Sequence, residues 1–270
     1  MGGWTFNPDA SNYSLTNNLN FQFTGAGIII NGGSVSFTNN GGTVFLNASS
    51  AGGATFNNNS GILFLDTSTA GGATINNNSL LRFDVSSSAG SANIVNNGLL
   101  QFIGTSTGGN AAITNLAAAS TDFSSSTGPG NVHKLSAGSI GGDGTFSLGG
   151  NQLTVGGNNL STTVTGVILD GGGGGSGGSL VKIGSGTLTL SGANTYTGGT
   201  AVNGGTLAVS ADSNLGAAGG GLGFGGGTLQ FLSGFTSNRD LTLNAGDGTL
   251  DTSGNNATLG GAIAGSGGLR

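Results

Sequence analysis

Two groups of side chains in this 270-residue chain have types and spacings that chemistry can use. Asp122 and Asp143 lie on either side of His133, the single histidine. If the chain between them makes one turn of a coil and stacks them on one face, two carboxylates held in different environments supply a general acid and a general base. Asp240, Asp247 and Asp251 form a looser acidic group beside Arg239, with surface ion pairing or weak cation binding as its chemistry. Neither group has the aromatic-lined cleft or basic cluster that substrate binding calls for, so these residues are expected to be solvated loop residues. The sequence therefore assigns no catalytic, cofactor-binding or metal-ligating residue. With no cysteine, thiolate ligands and disulfides are excluded. Gly172-x-Gly174-x-x-Gly177 has the form of a nucleotide loop, but with 60 glycines such a match carries no information, and no glycine-rich run ends in Gly-Lys-Ser/Thr. Gly141-Gly142-Asp143-Gly144 occurs once and lacks the fixed Asp of a repeated calcium nonapeptide.

The elements that would position any such residues are set by a repeat that returns at every nineteenth position. That step links Gly33, Gly52, Gly71, Gly90 and Gly109, and likewise Asn39, Asn58, Asn77, Asn96 and Asn115. It also links Phe45, Phe64, Phe83 and Phe102, and Phe37, Phe56, Ile75, Ile94 and Ile113. A fixed period without insertions describes a chain that coils and stacks equivalent residues on one another. Each repeat carries two short alternating segments. In one, Ala73 and Ile75 point inward around Thr74; in the other, Leu81 and Phe83 point inward while Arg82 and Asp84 point out. Asparagine pairs such as Asn58-Asn59 and Asn77-Asn78 fall between the segments, where Asn tolerates the left-handed backbone of a corner and stacked amides bond coil to coil. One coil buries too few apolar groups to order its own residues, so stability belongs to neighbouring coils together.

Composition agrees. Gly, Asn, Ser and Thr are weak helix formers, and no long stripe of helical period is present. All ten acidic residues are Asp, against five basic residues, a balance with no electrostatic footprint for nucleic acid. No apolar run is long enough to cross a membrane as a helix. Met1-Gly2-Gly3-Trp4 lacks the charged and apolar regions of a signal peptide.

Along the chain, residues 1–32 read as opening and capping coils, with Trp4, Phe6 and Pro8 either closing the solenoid end or forming core of the first coil. Residues 33–116 are the regular coils, and 117–142 an irregular coil or loop containing Gly128-Pro129-Gly130. From 143 to 270 a looser pattern, Gly-Thr-apolar-x-apolar, starts at Gly144, Gly186, Gly205, Gly227 and Gly248. The expected outward column Thr145, Thr187, Thr206, Thr228 and Thr249 has no regular second column beside it, which removes an ice-binding face. The glycine run 171–178 is expected to be a surface loop between coils.

The stretch from Gly178-Ser-Leu-Val-Lys182 through Thr187-Leu188, Tyr196-Thr-Gly-Gly and Gly205-Thr206-Leu207 closely resembles the passenger-associated transport repeat, or autotransporter-associated β-strand repeat. The run from Leu148 to Gly171 resembles the coils that precede it, and the regular repeats of 33–116 resemble arrays of very large passengers. The resemblance implies an all-β, right-handed parallel β-helix (β-solenoid) of about 19–22 residues per coil. It implies export to the surface of a Gram-negative bacterium by a C-terminal translocator β-barrel. It further implies a non-enzymatic stalk or adhesin, with a host-cell or matrix receptor as the partner. Gly267-Gly268-Leu269-Arg270 resembles the start of another repeat, so the expectation is a passenger fragment. The alternatives are a self-associating extracellular β-solenoid fibre, joined end to end, and a carbohydrate-active β-helix enzyme.

Overall fold

The computed structural model describes residues 1–270, and its strands all pair in parallel, stacking into a β-solenoid of about 13 turns with about 21 residues per turn. The helical content is two short 3-10 turns, Pro129–Asn131 and Asp212–Leu215. Three ladders run along the axis. A twelve-stranded sheet extends from Tyr13–Asn17 to Thr249–Asp251, and an eight-stranded sheet from Phe21–Phe23 to Ile168–Leu169. The third side begins as the strand pair Gly3–Phe6 and Gly27–Ile30, continues as single bridges joining Gly27, Ser50, Thr69, Ser88 and Thr107, then widens into a seven-stranded sheet from Lys134–Ala137 to Ile263–Gly265.

In the regular coils the register is the sequence period itself. Phe56 pairs with Ile75, Ile75 with Ile94 and Ile94 with Ile113, while Phe45, Phe64, Phe83 and Phe102 follow one another on the adjacent sheet. Equal coils put Phe45, Phe64, Phe83 and Phe102 one strand spacing apart, and Phe23 and Phe123 extend the same stack across coils of other lengths. Successive centroids are 4.6–5.1 Å apart and the planes lie within 15°. At the first coils Trp4 stacks on Phe37 at 5.7 Å and meets Phe21 and Phe23 edge-on, so it is both the outer layer of that end and part of its packing. One hydrophobic core continues from Phe23 to Leu243.

The corner glycines have a conformational reason. Gly33, Gly52, Gly71, Gly90 and Gly109 all have φ between 59° and 67°, the left-handed region that a side chain resists. A second corner needs the same conformation and fills it with Asn47, Asp66, Val85 and Gly104.

Beyond Asn115 the coils become unequal. The segment 117–142 contains strands Ser120–Asp122, Lys134–Ala137 and Ser139–Gly142, one for each sheet, with a loop and 3-10 turn between the first two. Ile113 pairs with Ile140 across this longer coil. The Gly-Thr pattern divides accordingly. Thr187, Thr206, Thr228 and Thr249 form a continuous column of the twelve-stranded sheet, but Thr145 lies in the eight-stranded sheet opposite Ser120 and does not belong to it. Residues 171–178 form no strand and connect Ile168–Leu169 to Ser179–Lys182.

Candidate functional site

The conditional pairing of Asp122 with Asp143 does not form. Asp122 sits in the eight-stranded sheet between Gln101 and Ser147, and its carboxylate accepts the Ser124 amide at 2.9 Å. Asp143 lies at the following corner, where its amide donates to Asn115 O and its carboxylate accepts the Thr165 hydroxyl. His133 bonds Asn151 through Nδ1 at 2.9 Å. The separation of Asp122 from Asp143 would stack them only in a coil of that same length. The coil here is longer, and it brings Ser147 rather than Asp143 beside Asp122.

The second acidic group is likewise separated. Arg239 turns away from Asp240, Asp247 and Asp251 and reaches back one coil to Asp212, with Nε 2.8 Å from Oδ1. Asp240 accepts the Ala262 amide and Asp251 accepts Gln230 Nε2, both at 2.9 Å, while Asp247 pairs with Arg270 at 3.0 Å. Hydrogen bonds from the Ser253 amide and from Gln230 hold the Asp251 carboxyl below its ordinary range.

What the structure does assemble, between residues 168 and 243, is a set of polar latches tying each coil to the next. Asp170 is the first. Its carboxylate accepts the amides of Gly177, Gly178 and Thr197 and the Thr197 hydroxyl at 2.7–3.1 Å, fixing both the glycine loop and the following coil. Asn194 accepts the Ile168 amide at 2.8 Å and donates to Asn214 O at 2.6 Å, thereby spanning three coils. Asn214 in turn donates to Gly192 O and accepts the Ser210 and Ala211 amides, which sets the start of the 3-10 turn.

Lys182 is buried with no acid beside it. Its Nζ donates to the carbonyls of Ile183, Gly184 and Gly204 at 2.7, 3.3 and 3.2 Å, and desolvation lowers its pKa from 10.5. Tyr196 is fully enclosed, its hydroxyl 2.6 Å from Thr200 Oγ1, which itself donates to Leu215 O. Burial raises the phenol to about 12. Arg239 closes the set: besides Asp212 it donates to the carbonyls of Gly216, Ala217 and Gly220, pinning the loop that covers Tyr196.

Lys182 and Arg239 are buried latches, whereas the sequence places Lys182 only within the repeat motif and Arg239 in surface ion pairing. The signal available for Lys182 was its phase: in Ser179-Leu180-Val181-Lys182 it falls on the same side as the inward Leu180.

These latches cluster on one recognisable stretch. Residues 180–209 match the family model described as Passenger-associated-transport-repeat. Lys182, Asn194, Tyr196 and Thr200 all lie inside the transport repeat, while Asp170 and Arg239 grip its flanks. Over 86 residues the chain is 40% identical to the Adhesin BmaC autotransporter of Brucella suis biovar 1 (strain 1330). That match covers 32% of this chain and 2% of the relative, so the chain corresponds to a small part of that protein's length. No solved structure matches the chain. The resemblance to autotransporter passengers read from residues 178–207 is thus borne out, as is the parallel β-solenoid.

Proposed function

We propose that this chain is a non-enzymatic structural segment of an autotransporter passenger, an extended stalk or part of an adhesin at the surface of a Gram-negative bacterium. The observation that carries the reading is the transport repeat at 180–209, set within coils that stack in parallel without interruption. In this reading residues 1–32 open and cap the segment, 33–116 are its regular spacer, 117–142 the transition, and 143–270 the transport-type coils. The full-length protein carries a C-terminal translocator β-barrel, and a host-cell or matrix receptor is met by the passenger as a whole. Separation of Asp122, His133 and Asp143 into different bonding environments supports a non-enzymatic role.

Small-angle scattering with electron microscopy over a concentration series tests the stalk. Stacking about 13 coils at one strand spacing each gives a rod of roughly 60 Å. The same rod at every concentration is the expected result. Filaments one coil wide would replace the stalk by the fibre, and a flexible-coil profile would overturn both. Export is tested by fusing the chain to a translocator barrel and shaving intact cells with protease.

A further inference from the structure

We infer that a cleft on the outer side of the twelve-stranded sheet binds a small neutral saccharide. The cleft, of about 430 Å³, lies where the turn bearing Asn158 and Leu160 stands beside strands Asn93–Asn96 and Ala112–Asn115. Its volume is within the range of ligand sites. The unequal coils create it: the corner into the twelve-stranded sheet, residues 89–92 in a regular coil, lengthens to 156–161 here.

Three asparagine side chains converge there. Asn158 is fixed, its Nδ2 donating to Ser139 Oγ at 2.9 Å and its Oδ1 accepting the Leu160 amide at 3.1 Å. Asn93 and Asn110 are exposed, and their side-chain amides have no hydrogen-bond partner within the chain. Elsewhere in the regular coils outward asparagines spend their amides on one another, as Asn59 does on Asn40 and Asn76 on Asn57. A Cβ on Gly157 would lie 3.0 Å from Asn110 Oδ1, so glycine there leaves room for that amide. Beside the amides stand Ala112 and Leu160, the latter 51% exposed.

Carboxamides pair with hydroxyls as both donor and acceptor, and an aliphatic wall accommodates the C–H face of a sugar ring. No ionisable side chain lines the cleft, and the chain is acidic overall, so an anionic sugar has no counter-charge.

The test uses the whole 270-residue chain and side-chain amide NMR. Maltotriose, cellotriose and tri-N-acetylchitotriose are titrated separately, with 3′-sialyllactose as the anionic comparison. At least one neutral trisaccharide is expected to shift the Asn93 and Asn110 carboxamide signals while leaving Asn203 unmoved. Asn110→Ala and Leu160→Ala are each expected to weaken that binding about tenfold. If either disturbs the fold, Asn93→Gln supplies the same reading. No shift with any neutral trisaccharide, equal binding of sialyllactose, or undiminished binding by the folded variants would overturn the inference.

Discussion

Asn58 and Asn59 are neighbours in sequence and donate in opposite directions along the solenoid axis. Asn58 Nδ2 bonds Asn77 Oδ1 in the next coil at 2.7 Å; Asn59 Nδ2 bonds Asn40 Oδ1 in the preceding coil at 3.0 Å. The inner ladder is buried and also serves the backbone, because each inner amide donates to a carbonyl of the next coil, Leu80 O for Asn58 and Leu99 O for Asn77. Two threonines in the apolar column satisfy the ladder near its ends: Thr43 donates to Asn39 Oδ1 and Thr121 to Asn115 Oδ1. The outer ladder is exposed and has water as an alternative partner.

Burial therefore decides which ladder stabilises the fold. Asn77→Ala removes the buried amide that donates to Asn96 Oδ1 and Leu99 O and that accepts from Asn58 Nδ2, and is expected to cost about 1–3 kcal/mol. Asn78→Ala, one residue along, is expected to stay within about 0.5 kcal/mol of the parent. Urea denaturation midpoints of the two variants check this; equal losses would contradict it.

Equal coils are interchangeable. Deleting residues 71–89 joins Ala70 to Gly90, sets Phe102 on Phe64 and preserves every column. The shortened chain is expected to fold with the same circular dichroism per residue and to be shorter by about 4.8 Å, one strand spacing. Deleting 71–80 instead destroys the register and is expected to abolish cooperative folding. Scattering and thermal melts of the pair distinguish these outcomes.

That same equality explains what was legible in the sequence. Phe45 to Phe102 announce their stack because each coil has one length, and Ala73, Ile75, Leu81 and Phe83 announce their side by alternation. After Leu116 the coil length changes, spacing no longer reports register, and Asp143 and Thr145 are placed wrongly by counting. The third sheet was hidden because it begins in the Ala/Ser/Gly-rich segment as Lys134–Ala137, where no apolar period precedes it. Arg239 was misread for a physical reason: charge suggests water, whereas the carbonyls and carboxylate that bury it come from a loop about one coil earlier.

Val85 is a local conflict in an otherwise consistent repeat. Its φ is 59°, at a corner where the equivalent residues are Asn47, Asp66 and Gly104, and its side chain is half-exposed. A β-branched residue in this conformation is strained. Val85→Asn is expected to raise stability by about 1 kcal/mol. The converse substitution, Gly71→Ala, puts a Cβ 2.8 Å from Ser50 Oγ and 2.9 Å from Gly52 O at φ 62° and is expected to destabilise. Denaturant midpoints test both signs.

Arg239→Ala strips the Gly216 and Gly220 carbonyls of their donor, removes one of the two donors to Ala217 O and leaves Asp212 unpaired. The expected cost is about 3 kcal/mol. Hydrogen exchange is expected to rise first in residues 210–221, the pinned loop. An unchanged exchange pattern there would remove the latch role.

Lys182 and Tyr196 give the transport repeat an alkaline signature with two opposite slopes. The Lys182 pKa is lowered in the fold, so just below 10.5 the unfolded chain binds the extra proton and stability rises with pH. Tyr196 is raised from 10.0 to about 12, so between those values the native state holds the extra proton and stability falls as pH increases. Lys182→Met is expected to remove the rise. Tyr196→Phe is expected to remove the fall, at the cost of the Thr200 hydrogen bond at neutral pH. Urea unfolding of the parent and both variants from pH 8 upward reads the slopes directly. A high-pH fall that persists in Tyr196→Phe would show that this phenol is not its source.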